Sequence, residues 1–342
     1  MARGLRPSMQ YFVKVASTRL LRACAAAALA AVTLTACGSS HHSTTRTSST
    51  TTPAANATTP TTALPGTGKP QVTIGDKNFT EEFVLGELYY EALQAQGFSV
   101  LINQNIGPTE VTMQALQSGQ LGMYPEYLNT WNTSVAGNPK KFRYERPAYL
   151  AAQRYALAHG FELLNPTPFS DTSAIGVTVA YAEQNRLRTI GDLRKVAQTL
   201  TLGAPPQLQQ DAAGLPALEQ AYGFAPAAFK ALEIGDQYLS LDQNTVQAAD
   251  VTTTDGQLTS GNYTLLSDPL GVFGVGNVVP VVSSKVLNAE GPAFAATVNR
   301  VTALLTLTTI RELNSAVDVA GEDPATVAKR FLVDHGLMPA TS

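Results

Sequence analysis

An α/β fold in two lobes is what the sequence predicts, and three observations predict it. From Val72 onward strand-like and helix-like segments alternate, the pattern of an open α/β sheet. About 270 residues follow position 70, which two lobes accommodate more economically than one core. No cysteine lies beyond residue 37, so no internal disulfide supports that region; with 44% hydrophobic and 14% charged residues, apolar cores must hold it together.

Taken in order, Val72-Thr73-Ile74-Gly75 is a short strand that turns through Asp76-Lys77-Asn78-Phe79 into a helix. Thr80 is the expected N-cap, with Glu81 and Glu82 in the first turn, where the helix dipole favours carboxylates. Val84, Leu88 and Ala92, flanked by Leu85 and Leu93, form an apolar stripe at helical spacing, and Gly97 suits the stop. Residues 98–102 read as a second strand. Thr109 then caps a helix carrying Val111, Met113, Ala115 and Leu116 that ends near Gly119. Residues 121–124 lead into Pro125, where the strand is expected to stop.

The alternation resumes with a strand over 174–179, a helix over 190–196 after Thr189, and a buried strand at Thr201-Leu202-Gly203. Residues 215–222 and 226–232 read as helical, 248–254 and 263–266 as strands. After Pro280-Val281-Val282 the chain is mainly helical, through 294–307, 309–314 and 324–333.

The first seventy residues speak to compartment. Arg3, Arg6, Lys14, Arg19 and Arg22 are the only charges among the first 36 residues, and an apolar run over 23–34 follows them. That is a signal-peptide layout. The run is about a dozen residues long, whereas a helix needs ~20 to span a bilayer. It ends in Leu34-Thr35-Ala36-Cys37, a bacterial lipobox, so residues 1–36 are expected to be a lipoprotein signal peptide and Cys37 the lipidated N-terminus. The alternative is ordinary secretory cleavage beside an incidental cysteine. Residues 38–70, rich in Thr, Ser, Pro, Ala and Gly, then read as a disordered tether reaching roughly 30 Å. His41-His42 lacks further metal ligands, and Gly66-Thr67-Gly68-Lys69 lacks the earlier glycine of a phosphate loop and precedes Pro70. The expected location is the extracytoplasmic face of the cell membrane, held by lipid. Removing the signal leaves 18 basic against 26 acidic side chains, which disfavours nucleic acid as a partner.

Six segments occur in the order found in a known family: residues 74–81, Gly107-Pro108-Thr109-Glu110-Val111, Tyr124-Pro125-Glu126-Tyr127, Gly214-Leu215-Pro216, Thr254-Asp255-Gly256 and Pro280-Val281-Val282. Over residues 72–331 the chain resembles the ProX-type glycine betaine/carnitine/choline-binding proteins of ABC importers. The resemblance implies a two-lobed type II periplasmic-binding fold, with 71–170 plus 277–342 as a discontinuous first lobe and 171–276 as the second. It implies capture of a small solute by hinge closure in the cleft between them. It also implies delivery to a permease, a monomer, and no cofactor or metal.

Site residues carry over from that resemblance one by one. Lys77 matches a lysine that pairs with the ligand carboxylate, Tyr127 the first ring of an aromatic cage for a quaternary ammonium, Thr130 a hydroxyl contact, and Asp171 an aspartate at the crossing into the second lobe. Three further cage positions fall on Ser173, Thr252 and Gly276, and the arginine that clamps the carboxylate falls on Asp211. Losing three desolvated cation–π contacts costs roughly 2–6 kcal/mol, so glycine betaine is not the expected tight ligand. A larger neutral or hydroxylated solute fits better, with Lys77, Asn78, Asp171, Asp211 and Thr252 as hydrogen-bonding groups. Trp131, Tyr238, Tyr263 and Phe273 are candidates to rebuild the cage, though core packing is the simpler expectation.

An enzyme is the main competing class. Beyond position 70 only His159 and His335 occur, neither beside a nucleophile, each reading as a helix C-terminus, and no Gly-x-Ser-x-Gly or His-Glu-x-x-His motif appears. Glu81-Glu82 are adjacent and so face different ways on a helix. A lipoprotein that senses a solute without transporting it needs the same cleft.

Overall fold

A computed structural model gives the fold and describes residues 63–340. The expected signal peptide, Cys37, His41-His42 and most of the expected tether lie outside the described residues. The chain runs β1 (Val72–Gly75), α1 (Thr80–Ala95), β2 (Val100–Asn103), α2 (Thr109–Gln117), β3 (Met123–Tyr127), α3 (Leu128–Thr130), a π-helical turn (Trp131–Val135), α4 (Glu145–Ala158) and β4 (Phe161–Leu163). It continues through β5 (Ser173–Thr178), α5 (Val179–Asn185), a 3-10 turn (Ile190–Lys195), β6 (Thr201–Ala204), α6 (Pro206–Gln210), α7 (Leu215–Tyr222) and β7 (Ala228–Ala231). Then come α8 (Gln237–Asp242), β8 (Ala248–Thr252), a second 3-10 turn (Gly256–Ser260) and β9 (Tyr263–Leu266). β10 (Val278–Ser283), α9 (Ser284–Glu290), α10 (Pro292–Leu304), α11 (Leu307–Asp318) and α12 (Pro324–Asp334) finish it.

The strands form two five-stranded mixed sheets, ordered β2-β1-β3-β10-β4 and β7-β6-β8-β5-β9, which is the α/β architecture expected. β10 is apolar from Val278 through Val282, as a strand covered on both faces must be. Val278 and Val282 join one core with α1, α10, α11 and α12, while Val279 and Val281 join the other with α2, α4 and Trp131. The second sheet has its own cores, one around Ile175, Leu202 and Leu218 and one around Tyr238, Leu241 and Val251. The chain passes between sheets twice, and the two crossings are tied together. Ser170 bridges Asn277, the Asp171 N–H donates to Gly276 O at 3.0 Å, and Asn277 Nδ2 donates to Thr167 O and Phe169 O at 3.0 Å each. α11 forms a third link: Asn314 Nδ2 donates to Thr254 O at 3.0 Å and Arg311 Nε to Thr253 O at 2.8 Å.

Several local expectations are corrected. β3 does not stop at Pro125 but runs through it, with Pro125 directly opposite Pro280 on β10. Alternate opposed pairs of an antiparallel ladder exchange no N–H bonds, and two prolines facing each other fit only such a position. Residues 226–232 are not helical. Alanine-rich composition favours a helix there, but a segment this short cannot stabilise one alone, and its backbone instead pairs with β6 as the edge strand β7. The helix expected after Thr189 is a short 3-10 helix over Ile190–Lys195, with Thr189 and Asp192 forming a capping box. Thr80 and Thr109 are first residues of their helices, not N-caps, and the Thr109 hydroxyl donates to Glu126 instead. The expected tether ends early: Gly66 N–H donates to Gln96 O at 2.9 Å and Lys69 Nζ to Ala289 O at 3.1 Å, so residues 63–70 dock on the first lobe. A Cβ on Gly66 would stand 2.2 Å from Phe98 N, so only glycine permits that approach.

Candidate functional site

Between the two sheets lies a cavity of about 340 Å³. From the first lobe, the β1–α1 turn brings Lys77, Asn78 and Phe79 to it, and the end of β3 with α3 brings Tyr127, Asn129 and Thr130. From the second lobe come Asp171 and Thr172 at the crossing, Ser173 at the start of β5 and Thr252 at the end of β8. Ser173 and Thr252 are direct cross-strand partners, so one register pair forms that wall. Seven of the eight solute-site residues named from the sequence thus line one cavity.

Lys77 is only 4% exposed, with Nζ at 2.6 Å from Glu126 Oε1 and 3.7 Å from Glu82 Oε1. Burial works against its ammonium, but Glu82 and Glu126 outweigh that and raise its pKa. Nζ also stands 4.5 Å from the Tyr127 ring centroid, so that ring already carries a cation supplied by the protein. Glu126 accepts further bonds from Tyr127 N, Thr109 Oγ1 and Tyr124 OH at 2.8, 3.0 and 3.2 Å. Burial, opposed by Lys77, lifts Glu82 to about 8, and burial lifts neighbouring Asp76 to about 7.

Carboxylates also line the ground beneath the other walls. Glu81 accepts from Tyr127 OH and Asn314 Nδ2, each at 2.8 Å, yet burial still raises its pKa. Burial, reinforced by Glu81, holds Asp171 well above the usual carboxylate range, and its Oδ1 is buried without a hydrogen-bond partner. Thr252 Oγ1 donates to Asp255 Oδ1 at 2.5 Å, and Tyr238 OH to Asp255 Oδ2 at 2.8 Å. Burial lifts Asp250, behind Ser173, to about 7.

Asp211 is the eighth residue, and the cavity does not include it. It is exposed at the end of α6, where Oδ1 accepts from Ala213 N at 2.9 Å to shape the turn before Gly214. It lines a second space of about 330 Å³ that shares Asn129, Thr130 and Ser173 with the first and adds Lys140, Phe142 and Phe273. Gly276 has no room for a ring or even a methyl group, since a Cβ there would stand 1.8 Å from Asp171 O. Trp131 is fully buried in the first lobe with Nε1 donating to Ala152 O at 3.2 Å. Tyr238 and Tyr263 pack edge to face at 4.7 Å, with hydroxyls on Asp255 and Asp242. Of the four candidate aromatics, only Phe273 reaches either space. Phe79, Pro108, Thr109, Asn129 and Thr172 also line the wall without having been named as site residues from the sequence. Phe79 and Thr109 lie inside segments quoted for the resemblance, which was the available signal; Asn129, one residue before Thr130, had none. His159 and His335 do cap helices, with Nδ1 2.7 Å from Tyr155 O and 2.8 Å from Phe331 O.

Residues 70–334 match the family described as the substrate-binding domain of ABC-type glycine betaine transport systems. The chain is 30% identical over 290 residues to the glycine betaine-binding protein YehZ of Escherichia coli K12, covering 80% of this chain and 93% of that one. The unliganded YehZ structure superposes with a TM-score of 0.69 over 78% of this chain and 99% of that chain. A crystal structure described as a glycine betaine/carnitine/choline ABC transporter superposes with a TM-score of 0.74 at 22% identity, over 78% and 99% of the two chains, and so speaks to fold. An ergothioneine transport permease/binding protein of Helicobacter pylori, EgtU, is 24% identical over 272 residues, 79% of this chain and 48% of that one. The protein belongs to the family of substrate-binding proteins of glycine betaine-type ABC transporters.

Proposed function

We propose that this protein is a lipid-anchored receptor on the extracytoplasmic face of the membrane. It captures a small organic solute between its lobes, closes about it and presents it to an ABC permease. The observation that carries this reading is the convergence of Lys77, Asn78, Tyr127 and Thr130 from one lobe with Asp171, Ser173 and Thr252 from the other on a single cavity. A solute touching both walls stabilises the closed form over the open one, which is the differential binding that closure needs. The lipobox at Cys37 supports the anchor. EgtU, in which binding protein and permease are named together, supports the permease partner.

Osmoprotectants are the solute class that the relatives' names suggest. The absence of rings at Ser173, Thr252 and Gly276, and the second space beyond Thr130, favour a solute other than glycine betaine and a longer one. Calorimetry on the purified protein tests both points. Binding of any small solute with uptake lost in a deletion strain supports the receptor reading. Uptake of every bound solute unchanged in that strain would overturn transport and leave sensing. Low-micromolar betaine binding would overturn the departure from betaine.

A further inference from the structure

We propose that the solute is a cation bearing its own N–H donors, an ammonium or a guanidinium, and not a fully methylated nitrogen. This rests on the reading of the cleft as the solute site and specifies what enters it.

The argument is the direction of the hydroxyl protons. Thr109 donates to Glu126 Oε2 at 3.0 Å, Tyr127 to Glu81 Oε1 at 2.8 Å and Thr252 to Asp255 Oδ1 at 2.5 Å. Each proton turns away from the cavity toward a carboxylate, so each hydroxyl shows the solute a lone pair. Asp171 adds a carboxylate at the same wall, with Oδ1 buried and unpartnered. The second-lobe wall therefore offers acceptors and no rings. A trimethylammonium has no hydrogen to give them, and the two rings on the cavity wall, Tyr127 and Phe79, already have the Lys77 ammonium at 4.5 and 5.6 Å from their centroids.

Charge points the same way. The one cation on the cavity wall, Lys77, is matched by Glu126 and Glu82. Arg311 is held with Nε on Thr253 O, and Lys140 and Lys141 line the neighbouring space. Glu81, Asp171, Asp250 and Asp255 remain around the space. Burial beside Glu81 disfavours the ionised form of Asp171 in the empty cleft, and an incoming cation reverses that preference. The side-chain amides of Asn78 and Asn129 face the same space from the first lobe and suit the oxygen-bearing part of such a solute.

The test is calorimetry on the whole protein at pH 8, above the value to which burial lifts Asp250, with pairs that differ only in N-methylation. Ethanolamine against choline, glycine against glycine betaine, and 4-amino-3-hydroxybutyrate against carnitine are such pairs, with agmatine as a guanidinium. The N–H member is expected to bind at least about tenfold tighter, because a methylated one leaves buried acceptors unmade. Asp171→Asn is expected to lower that affinity about tenfold or more and to shrink the ratio within each pair, with Ser173→Ala as a second variant should the first unfold. A methylated member binding equally or more tightly overturns the proposal while leaving the receptor reading intact. Binding of neutral polyols such as sorbitol, with no response to any amine, does the same. Absence of binding by every amine, methylated compound and polyol overturns both.

Discussion

Lys77→Met isolates the buried charge that organises the first lobe's half of the cleft. The substitution keeps most of the side-chain volume and removes the only cation, among the described residues, paired with Glu82 and Glu126, both of which are fully buried. Breaking a buried pair by deleting one partner costs about 3–5 kcal/mol, because the remaining charge stays in low dielectric. In a domain of this size that is roughly 6–20 °C in melting temperature. The loss is expected to be larger at pH 8.5 than at pH 5.5, since Glu82, lifted to about 8 even with Lys77 present, can protonate at the lower pH and relieve one charge. Removing the opposite partner as well, in Lys77→Met/Glu126→Gln, is expected to recover part of the loss. Trp131 is the assay: it is the only tryptophan, lies fully buried in the same lobe, and reports that lobe's unfolding in urea by its emission. A single variant within about 1 kcal/mol of wild type at pH 8.5 would refute the view of Lys77 as the charge that this cluster requires.

Overall stability is expected to fall as pH rises from about 4 to 8. Asp76 and Asp250 at about 7 and Glu82 at about 8 hold protons in the folded state that the unfolded chain, near 3.8 and 4.5, has already lost; urea midpoints that climb from pH 5 to 8.5 would contradict this. Gly276→Ala is expected to cost about 1–3 kcal/mol or more and to weaken solute binding, since its methyl must displace the Asp171 carbonyl at the crossing; near-native melting and affinity would show that the crossing yields easily. Asp211→Ala is expected to leave solute affinity within about twofold, its carboxylate serving the turn at Ala213; a tenfold gain for acidic solutes would restore it as a repulsive clamp.

The alternation of elements and the separate cores were legible because they rest on short-range signals. The valines of β10 and the stripe on α1 announce burial wherever they stand. Reading failed where a distant partner decided. Residues 228–231 became a strand because β6 offered an edge, and Pro125 stayed in β3 because Pro280 faced it. Thr109 looks like a cap until the carboxylate that claims its hydroxyl comes into view. At the site, residue types and positions were readable, but charge compensation was not. Lys77 lies 49 positions from Glu126, and nothing local reveals that they meet at 2.6 Å. Counting residues also placed Asp211 beside the solute, whereas the course of α6 carries it into the neighbouring space.

The pairing of Ser173 with Thr252 has an evolutionary consequence. Both stand at strand ends, opposite each other, and Thr252 is held to the Asp255 carboxylate. Neither belongs to an apolar core, so each can be exchanged without repacking the sheet. A duplicated gene could therefore acquire a new cargo through two codons while keeping its scaffold and its mode of docking. In such a lineage the cargo drifts faster than the fold.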